Sequence, residues 1–298
     1  MKKIIKKIGL FLALLVSFFS LWVVSCIFKV PKGVRAIKNL QYAVVNGDSL
    51  RLDIYRPKQM EKKLPVIVWL YGGGWKYGSK TYCPIAQFAT QQVAIVSINY
   101  RLDDVAKFPA QIHDCKGAIR WLRANAARYN LDAEHIGVFG ISAGAHLACL
   151  LGTTAGNAKM EGDVGGNLNF SSAVQCVCAF YPPTDLNRLV ADPKSRNNPK
   201  DLVALLLGGP VGQNVDKANF ASPIFYVTKN SAPFFLMHGG ADTLVPPEQS
   251  EIFYDALKRA GVEAQLEIIP GKGHGISAPP AVAAEINQFF RKHLQNNN

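Results

Sequence analysis

Short, continuous apolar runs recur along the chain, and most are separated by stretches with helical periodicity. The runs that we interpret as strands lie at 66–70, 93–98, 136–139, 174–180, 234–237 and 265–269. Such runs are typical of strands buried on both faces of a parallel sheet. Helical patterns occur at 108–126, 145–151, 248–260 and 281–294. This alternation predicts an α/β fold whose mostly parallel, doubly wound sheet has about eight strands and helices on both faces.

The pattern is different in three places. Residues 42–45 and 50–55 alternate around Asn46-Gly47, a strong signal for a hairpin turn. Residues 27–40 look like a linker, and residues 186–231 carry no strong periodicity and are expected to form a small cap. The chain is therefore expected to consist of a leader at 1–26, a linker at 27–40 and one folded domain at 41–296.

The N-terminus has the pattern of an export signal. Residues 1–7 include four lysines and no acidic residue, and the 17 residues at 8–24 are uncharged and mostly apolar, like the two parts of a secretory signal. The stretch Val23-Val24-Ser25-Cys26 resembles a bacterial lipobox, in which Cys26 would be lipidated. We predict an exported protein held at the membrane of the cell envelope. A lipoprotein is the favoured form, and an uncleaved N-terminal anchor is the alternative.

Composition narrows the range of partners. Hydrophobic residues make up 49% of the 298 residues and charged residues 18%, which suits one large folded core. The formal net charge is +12, and four of these charges are leader lysines. The other basic residues are scattered, without a basic run interleaved with aromatic residues, so nucleic acid is not an expected partner. The oligomeric state has no signature in the sequence.

The cysteines do not suggest a disulfide scaffold or a metal site. Besides Cys26 there are five, an odd number, in a domain large enough to fold without disulfides. Cys176 and Cys178 are two residues apart on an apolar run, so we expect both on one face of a strand, as small core residues. No cysteine and histidine cluster has zinc-like spacing, and we expect no metal and no cofactor.

The motif G-x-S-x-G at 140–144 follows an apolar run and precedes a helical stretch of small residues. In this setting it predicts a sharp turn from strand to helix with Ser142 at its apex. Glycines are needed on both sides because a Cβ would clash with the neighbouring backbone. Ser142 is therefore the candidate nucleophile. The sequence Gly47-Asp48-Ser49-Leu50 spells the name-giving motif of one known esterase family, but Ser49 lacks that family's Asp three residues before a C-terminal His.

A serine nucleophile needs a base and a carboxylate that orients the base. His274 lies between glycines directly after the last predicted strand, and it is the candidate base. His146 follows Ser142 on the same helix and points away from the turn, whereas His238 ends a strand and is expected to brace its loop. Asp242 follows a buried strand and is the candidate acid. Asp185 is its rival, with helix capping as its alternative role.

Acyl transfer also needs N–H donors that stabilise the negative oxygen of a tetrahedral intermediate. Gly72, Gly73 and Gly74 follow the buried strand at 66–70 and can turn N–H groups inward without a side-chain clash. Ala143, the residue after the candidate nucleophile, offers another donor from a helix N-terminus. The same loop continues into Trp75, which we expect to contact substrate.

Together these motifs resemble one family. From about residue 41 to 296 the chain is similar to α/β-hydrolases of the hormone-sensitive-lipase-like and bacterial acetyl-xylan and feruloyl esterase-like group. The matching segments are 72–75, 100–102, 108–110, 140–144, 241–242 with 245–246, and 273–275. The resemblance implies the chain order Ser142, Asp242, His274 and oxyanion donors at Gly73, Gly74 and Ala143. Tyr71 stands where the family usually has His, and Ala145 where it usually has Gly.

The resemblance implies a serine carboxylesterase that hydrolyses short-chain or carbohydrate-linked esters through an acyl-enzyme. Its expected substrate is a small ester or an acylated oligosaccharide. Two alternatives stay open. One is an amide hydrolase, similar to arylformamidases or peptidases, because the same triad serves both reactions. The other is a tethered binding protein without activity, whose signature would be loss of the serine, the histidine or the glycines.

Overall fold

The computed structural model describes residues 30–60, 62–90, 92–193 and 199–295. The predicted leader, including the lipobox Cys26, lies outside these ranges. Among the described residues, no helix is both long enough and apolar enough to cross a membrane. Most of the predicted linker and nearly all of the predicted domain can be followed.

One eight-stranded sheet forms the centre of the described fold. Its strands are β1 (Val34–Val45), β2 (Asp48–Pro57), β3 (Leu64–Leu70), β4 (Ala94–Ile98), β5 (Leu131–Ile141), β6 (Cys176–Phe180), β7 (Phe234–Gly239) and β8 (Ala264–Ile269). They are arranged in the order β1-β2-β4-β3-β5-β6-β7-β8. The pairs β1–β2 and β2–β4 are antiparallel, and the remaining pairs, from β4–β3 to β7–β8, are parallel. The predicted fold class is confirmed.

Helices cover both faces of this sheet. They are α1 (Ala110–Ala124), α2 (Ala126–Tyr129), α3 (Ala143–Thr153), α4 (Ala158–Glu161), α5 (Leu186–Ala191), α6 (Pro199–Leu207), α7 (Val215–Ala221), α8 (Glu248–Arg259) and α9 (Pro280–Leu294). Val66 and Val68 of β3 belong to the core that includes α1, α3 and α8. Their neighbours Ile67 and Trp69 belong to the opposite core, which includes α9. Because both faces are buried, the strand has no polar side, and this explains its continuous apolar run.

The linker prediction for 27–40 is wrong from residue 34 onward, because β1 begins at Val34. The pairing of β1 with β2 shifts register between Ile37 and Leu40 and again between Gln41 and Ala43. Asn39, at the first shift, has φ of 60°, and its N–H donates to Asp53 Oδ1 at 2.7 Å. Each irregularity interrupts the two-residue alternation, so the first half of this edge strand has no strand-like pattern in the sequence.

The stretch predicted to form a small cap folds, in its described part, as short helices. It comprises α5, α6, α7 and two 3₁₀ turns, at Val211–Gln213 and Pro223–Tyr226. Leu189 of α5 and Leu202 and Val203 of α6 line the same cavity as Ser142. The cap therefore shapes one wall of the candidate site.

The expected packing of the cysteines is confirmed. Cys176 and Cys178 are buried in the same core, on the side of the sheet that α9 covers. All five cysteines within the described ranges are free and buried. Burial raises the pKa of the Cys178 thiol well above its usual range, so this thiol stays protonated and behaves as a small apolar side chain.

Candidate active site

Ser142 lies at the sharp turn between β5 and α3. Its backbone has φ of 51° and ψ of −121°. Residues that carry a side chain rarely adopt this backbone conformation, and it is found at functional turns. A Cβ on Gly140 would lie 2.3 Å from the Gly144 oxygen, and one on Gly144 would lie 2.2 Å from the Leu70 oxygen. Both glycines are thus needed for this turn to form. The predicted geometry of the motif is confirmed.

The structure brings Ser142, His274 and Asp242 into one hydrogen-bonded chain. His274 Nε2 lies 2.9 Å from Ser142 Oγ, and His274 Nδ1 lies 2.7 Å from Asp242 Oδ2. Since an ionised carboxylate only accepts, Nδ1 carries the proton, and Nε2 is left to accept the serine proton. The serine is thus paired with a base, and the base is oriented by an acid.

Asp242 is buried and receives hydrogen bonds on both carboxylate oxygens. The N–H groups of Leu244 and Val245 donate to Oδ1 at 2.9 Å and 3.0 Å, and His274 donates to Oδ2. Burial alone would raise the pKa of this carboxyl. Hydrogen bonds from His238, His274 and Val245 together with the charge of His274 outweigh burial and hold the pKa well below its usual range. Asp242 is therefore ionised at neutral pH.

His238 makes a second contact with Asp242 from the buried end of β7. Its Nε2 lies 2.8 Å from the Val245 oxygen and 3.2 Å from Asp242 Oδ2. The Val245 carbonyl can only accept, so Nε2 carries a proton. In the neutral ring Nδ1 then accepts from Ser250 Oγ at 2.7 Å. The expectation that His238 braces its loop is confirmed, and its contact with the acid is an addition that strand position alone could not predict.

The rival residues have other roles. Asp185 caps α5, since its Oδ1 accepts from the N–H of Arg188 at 3.0 Å. His146 is buried, and both of its ring nitrogens have partners. Its Nδ1 accepts from the Trp75 indole N–H, with 3.2 Å between the nitrogens. Its Nε2 lies 2.6 Å from the Ala221 carbonyl oxygen. Burial lowers the pKa of His146 to about 4 despite the bond to Ala221, so it is a neutral structural residue.

Ser49 lies on β2, in the hairpin that β2 forms with β1. Its Oγ donates to Gln41 Oε1 at 2.8 Å across the β1–β2 hairpin, in an exposed position. Nothing in this contact activates a hydroxyl group. The sequence argument against Ser49 as a nucleophile is thereby strengthened.

The glycine loop runs beside the turn that carries Ser142. A Cβ on Gly72 would lie 3.2 Å from Ser142 Cβ, so the loop and the serine are in close contact. Gly73 and Gly74 have φ of 115° and 61° and line the same cavity as Ala143. Ala143 is the first residue of α3, and the first N–H groups of a helix have no acceptor within it. The predicted oxyanion donors therefore lie at one cavity, and their role stays a prediction.

Tyr71, the departure from the family pattern, is held by Tyr100. The two rings stack with centroids 4.4 Å apart and planes at 14°. The Tyr100 hydroxyl donates to the backbone carbonyl oxygen of Tyr71 at 2.9 Å. This clasp holds the backbone just before the glycines. Ala145, the other departure, is accommodated in the core where α3 meets the sheet.

The site opens into a cavity of about 470 Å³. Its inner wall is apolar and includes Leu189, Val203 and Val245. Trp75, predicted to contact substrate, lines this wall but is only 3% exposed, and its indole N–H is used by His146. Among the described residues that line the cavity there is one histidine, His274, and no Lys, Arg, Asp or Glu.

Three tyrosines at the cavity were not singled out from the sequence. The Tyr181 ring packs on His274 with centroids 4.5 Å apart, and Tyr77 and Tyr82 lie on the loop after the glycines. Tyr181 directly follows the apolar run that became β6, so its place at the end of a parallel strand was the available signal. In the described part of the chain, no group of three or more His, Cys, Asp or Glu could hold a metal ion.

Comparison with known proteins adds relatives with established descriptions. The chain is 30% identical over 288 residues to esterase LipC of Mycobacterium tuberculosis, covering 90% of this chain and 70% of that protein. It spans about half the length of other curated mycobacterial esterases that it matches. A truncated carbohydrate esterase from gut microbiota superposes with a TM-score of 0.78 at 31% identity, covering 88% of this chain and 97% of that one.

A further solved structure is an acetyl ester-xyloside bifunctional hydrolase from Caldicellulosiruptor lactoaceticus. It has a TM-score of 0.69 and 26% identity, covering 88% of this chain and 94% of that one. The fold, the site and these relatives define an α/β-hydrolase that acts on carboxylic ester bonds. More narrowly, the BD-FAE family model matches residues 52–257, and the chain belongs to that family.

Proposed function

We propose that this carboxylesterase works through Ser142, His274 and Asp242. Ser142 Oγ attacks the ester carbonyl while His274 Nε2 takes its proton, and Asp242 orients and stabilises the resulting imidazolium. The observation that carries the proposal is the continuous pair of hydrogen bonds, 2.9 Å and 2.7 Å long, from serine to carboxylate. This chain of contacts ends at the cavity where an ester can bind.

The tetrahedral intermediate places a negative charge on the former carbonyl oxygen. The N–H groups of Gly73, Gly74 and Ala143 are its proposed partners, and each such donor contributes about 10²–10³ in rate. His274 then returns the proton to the departing alcohol as the C–O bond breaks, which leaves the acyl group on Ser142. A water molecule, deprotonated by His274, attacks the acyl-enzyme and releases the acid.

We further propose that the substrate carries a short acyl group, including acyl groups linked to carbohydrate. The cavity of about 470 Å³ has an apolar wall for the acyl chain, and the described residues that line it include no carboxylate or lysine to pair with an ionised substrate. The similarity to carbohydrate esterases supports a sugar on the alcohol side. Purified protein is expected to hydrolyse p-nitrophenyl acetate at least about tenfold better, in kcat/KM, than the palmitate.

The test is a panel of p-nitrophenyl esters from acetate to palmitate, together with acetylated and feruloylated oligosaccharides. Ester hydrolysis with a preference for short or carbohydrate-linked acyl groups would support the proposal. Folded protein with no activity on any ester would overturn it. Anilides of the same acids test the amide alternative, which predicts a lower ratio of ester to amide turnover.

We propose, from the leader alone, that the enzyme is exported and tethered to a membrane of the cell envelope. Full-length protein should then sediment with membranes, and a chain starting at residue 27 should be soluble. Replacing Cys26 by Ala separates the two forms of attachment. It blocks processing if the protein is a lipoprotein, and it leaves the mature mass unchanged except for the substitution if the leader is an uncleaved anchor.

A further inference from the structure

Two tyrosine rings are exposed at the mouth of the cavity that holds Ser142. Tyr77 is 63% exposed and Tyr82 is 44% exposed, and both line the cavity. Exposed aromatic rings are ordinary when isolated, but here two of them border a binding site. Aromatic residues at such positions commonly supply binding energy, because they bury a large area with few rotatable bonds.

The loop that carries these rings is anchored from below. Lys80 lies between the two tyrosines, and its buried Nζ donates to Asp53 Oδ1 at 2.7 Å and to Asn39 Oδ1 at 2.8 Å. The indole N–H of Trp69 donates to the backbone carbonyl oxygen of Tyr82 at 2.8 Å. The backbone is thus held in place before any ligand binds. A preorganised surface loses little conformational entropy on binding.

The same loop is tied to the predicted oxyanion donors. The N–H of Tyr77 donates to the Gly73 oxygen at 3.0 Å. Gly78 has φ of 114°, and a Cβ there would lie 2.4 Å from a ring carbon of Tyr71. Position 78 therefore packs directly against the residue that precedes the glycines. These contacts fix the position of Tyr77 relative to the glycines that would hold an ester carbonyl.

The chemistry of the cavity indicates which part of a substrate reaches these rings. Its inner wall is apolar and buried, so it suits the acyl group, and a chain of several sugars is too large to be enclosed there. The alcohol side must leave through the mouth, past Tyr77 and Tyr82. A pyranose presents C–H groups that pack on an aromatic ring, and its hydroxyl groups can pair with the phenol groups and with Ser79, which also lines the cavity.

We infer that Tyr77 and Tyr82 form a stacking platform for the sugar that carries the ester, and thereby select carbohydrate on the alcohol side. This inference rests on the proposed function, because it assumes that the ester carbonyl is held beside Ser142. The platform is a specificity determinant and takes no part in the transfer of protons or of the acyl group.

The test compares acetylated xylotetraose with p-nitrophenyl acetate, which has no sugar. For Tyr77→Ala and Tyr82→Ala, the ratio of kcat/KM on the oligosaccharide to kcat/KM on the aryl ester should fall about tenfold, through KM. Tyr77→Phe and Tyr82→Phe keep the rings and should keep the ratio within about threefold. The matched control is Phe225→Ala, since Phe225 is an exposed ring outside the cavity wall, and it should leave the ratio unchanged.

A binding measurement separates this inference from the proposed function. Calorimetric titration of acetylated xylotetraose into Ser142→Ala should show binding that weakens about tenfold when Tyr77→Ala or Tyr82→Ala is added. An unchanged ratio together with unchanged binding would overturn the platform. Equal losses of activity on both substrates would also overturn it. So would a wild-type enzyme that cleaves the aryl ester but neither cleaves nor binds the oligosaccharide. If wild type cleaves no ester, the proposed function fails, and the titration alone decides the platform.

Discussion

At the scale of single residues, Asp242 has the most complete set of partners in the site. Four groups donate to its two oxygens, from Leu244, Val245, His274 and His238. A buried carboxylate is tolerated in the folded state only when such donors replace water. The carboxylate in turn fixes which nitrogen of His274 faces the serine.

Replacing Asp242 by Asn is expected to lower kcat by about 10⁴ while leaving the fold intact. An amide can donate to His274 Nδ1, which would place the imidazole proton on Nε2, where it cannot accept from Ser142. Steady-state kinetics on p-nitrophenyl acetate measures the effect. A loss of less than tenfold would contradict the role proposed for this residue.

The lowered pKa of Asp242 also predicts a pH dependence of stability. A carboxyl whose pKa is lower in the folded protein stabilises the fold above its unfolded pKa, about 3.9, and this stabilisation is lost as pH falls toward the folded value. The difference in free energy of unfolding between wild type and Asp242→Asn should therefore be smaller at pH 3 than at pH 6. Denaturant titrations at both pH values measure it, and an equal difference would count against the lowered pKa.

The turn at Ser142 depends on Gly144. An added Cβ would lie 2.2 Å from the Leu70 oxygen and 2.4 Å from the Tyr71 oxygen, and neither backbone atom can move without shifting the glycine loop. Gly144→Ala should lower the free energy of unfolding by about 3 kcal/mol and reduce activity. Gly212→Ala is the control, because nothing lies within 4 Å of its Cβ, and it should change stability by less than about 0.5 kcal/mol. Equal effects at the two positions would refute the steric argument.

Much of the site can be predicted from local sequence because each candidate residue follows a buried strand directly. Ser142, Asp242 and His274 were predicted in this way, and the structure brings them within hydrogen-bonding distance. The place of Tyr181 at the end of β6 was open to prediction, but its packing on His274 and the hydrogen bond between Ser250 and His238 were not. Both depend on side-chain packing between different elements of the chain, and a single sequence has no periodic signal for such contacts.

At the scale of elements, the cap helix α6 determines the shape of the cavity. Leu202 packs so closely over the glycine loop that a Cβ on Gly74 would lie 2.8 Å from its methyl group. Its side chain therefore takes up space next to the place where an acyl chain would extend. The cap and the first half of β1 are the parts of the fold that hydrophobic periodicity in the sequence describes least well.

Leu202→Ala is expected to enlarge the acyl site and raise activity on longer chains. The ratio of kcat/KM for p-nitrophenyl hexanoate to that for the acetate should rise about fivefold, since one or two methylene groups in an apolar pocket change binding by about 1–3 kcal/mol. Leu205→Ala, on the same helix but outside the cavity wall, is the matched control. If both variants change the ratio equally, Leu202 does not limit acyl length.

The prediction of a linker at 34–40, where β1 begins, is wrong for a definite physical reason. The two register shifts of β1 turn successive side chains out of simple alternation, and strand prediction from one sequence relies on that alternation. The helices within the predicted cap could not be recognised from the sequence for a different reason. These helices are short and cover a cavity as well as a core, so their apolar positions do not form a single stripe.

At the scale of the whole molecule, sheet order brings the site together. The glycine loop follows β3, Ser142 follows β5, Asp242 follows β7 and His274 follows β8, and these strands are parallel members of one sheet. Their carboxyl ends therefore meet at one edge, where open α/β sheets bind their ligands. The alternation of strands and helices in the sequence is enough to predict this convergence, whereas the shape and lining of the cavity required the packed structure.

The central claim is that Ser142 is the nucleophile of an ester hydrolase, and covalent trapping tests it most directly. Purified protein is treated with a fluorophosphonate, and intact mass and peptide mapping locate the adduct. We predict one adduct per chain, on Ser142, with loss of esterase activity in proportion to labelling, and no adduct in Ser142→Ala. An adduct on another residue, or full esterase activity in folded Ser142→Ala, would contradict the account.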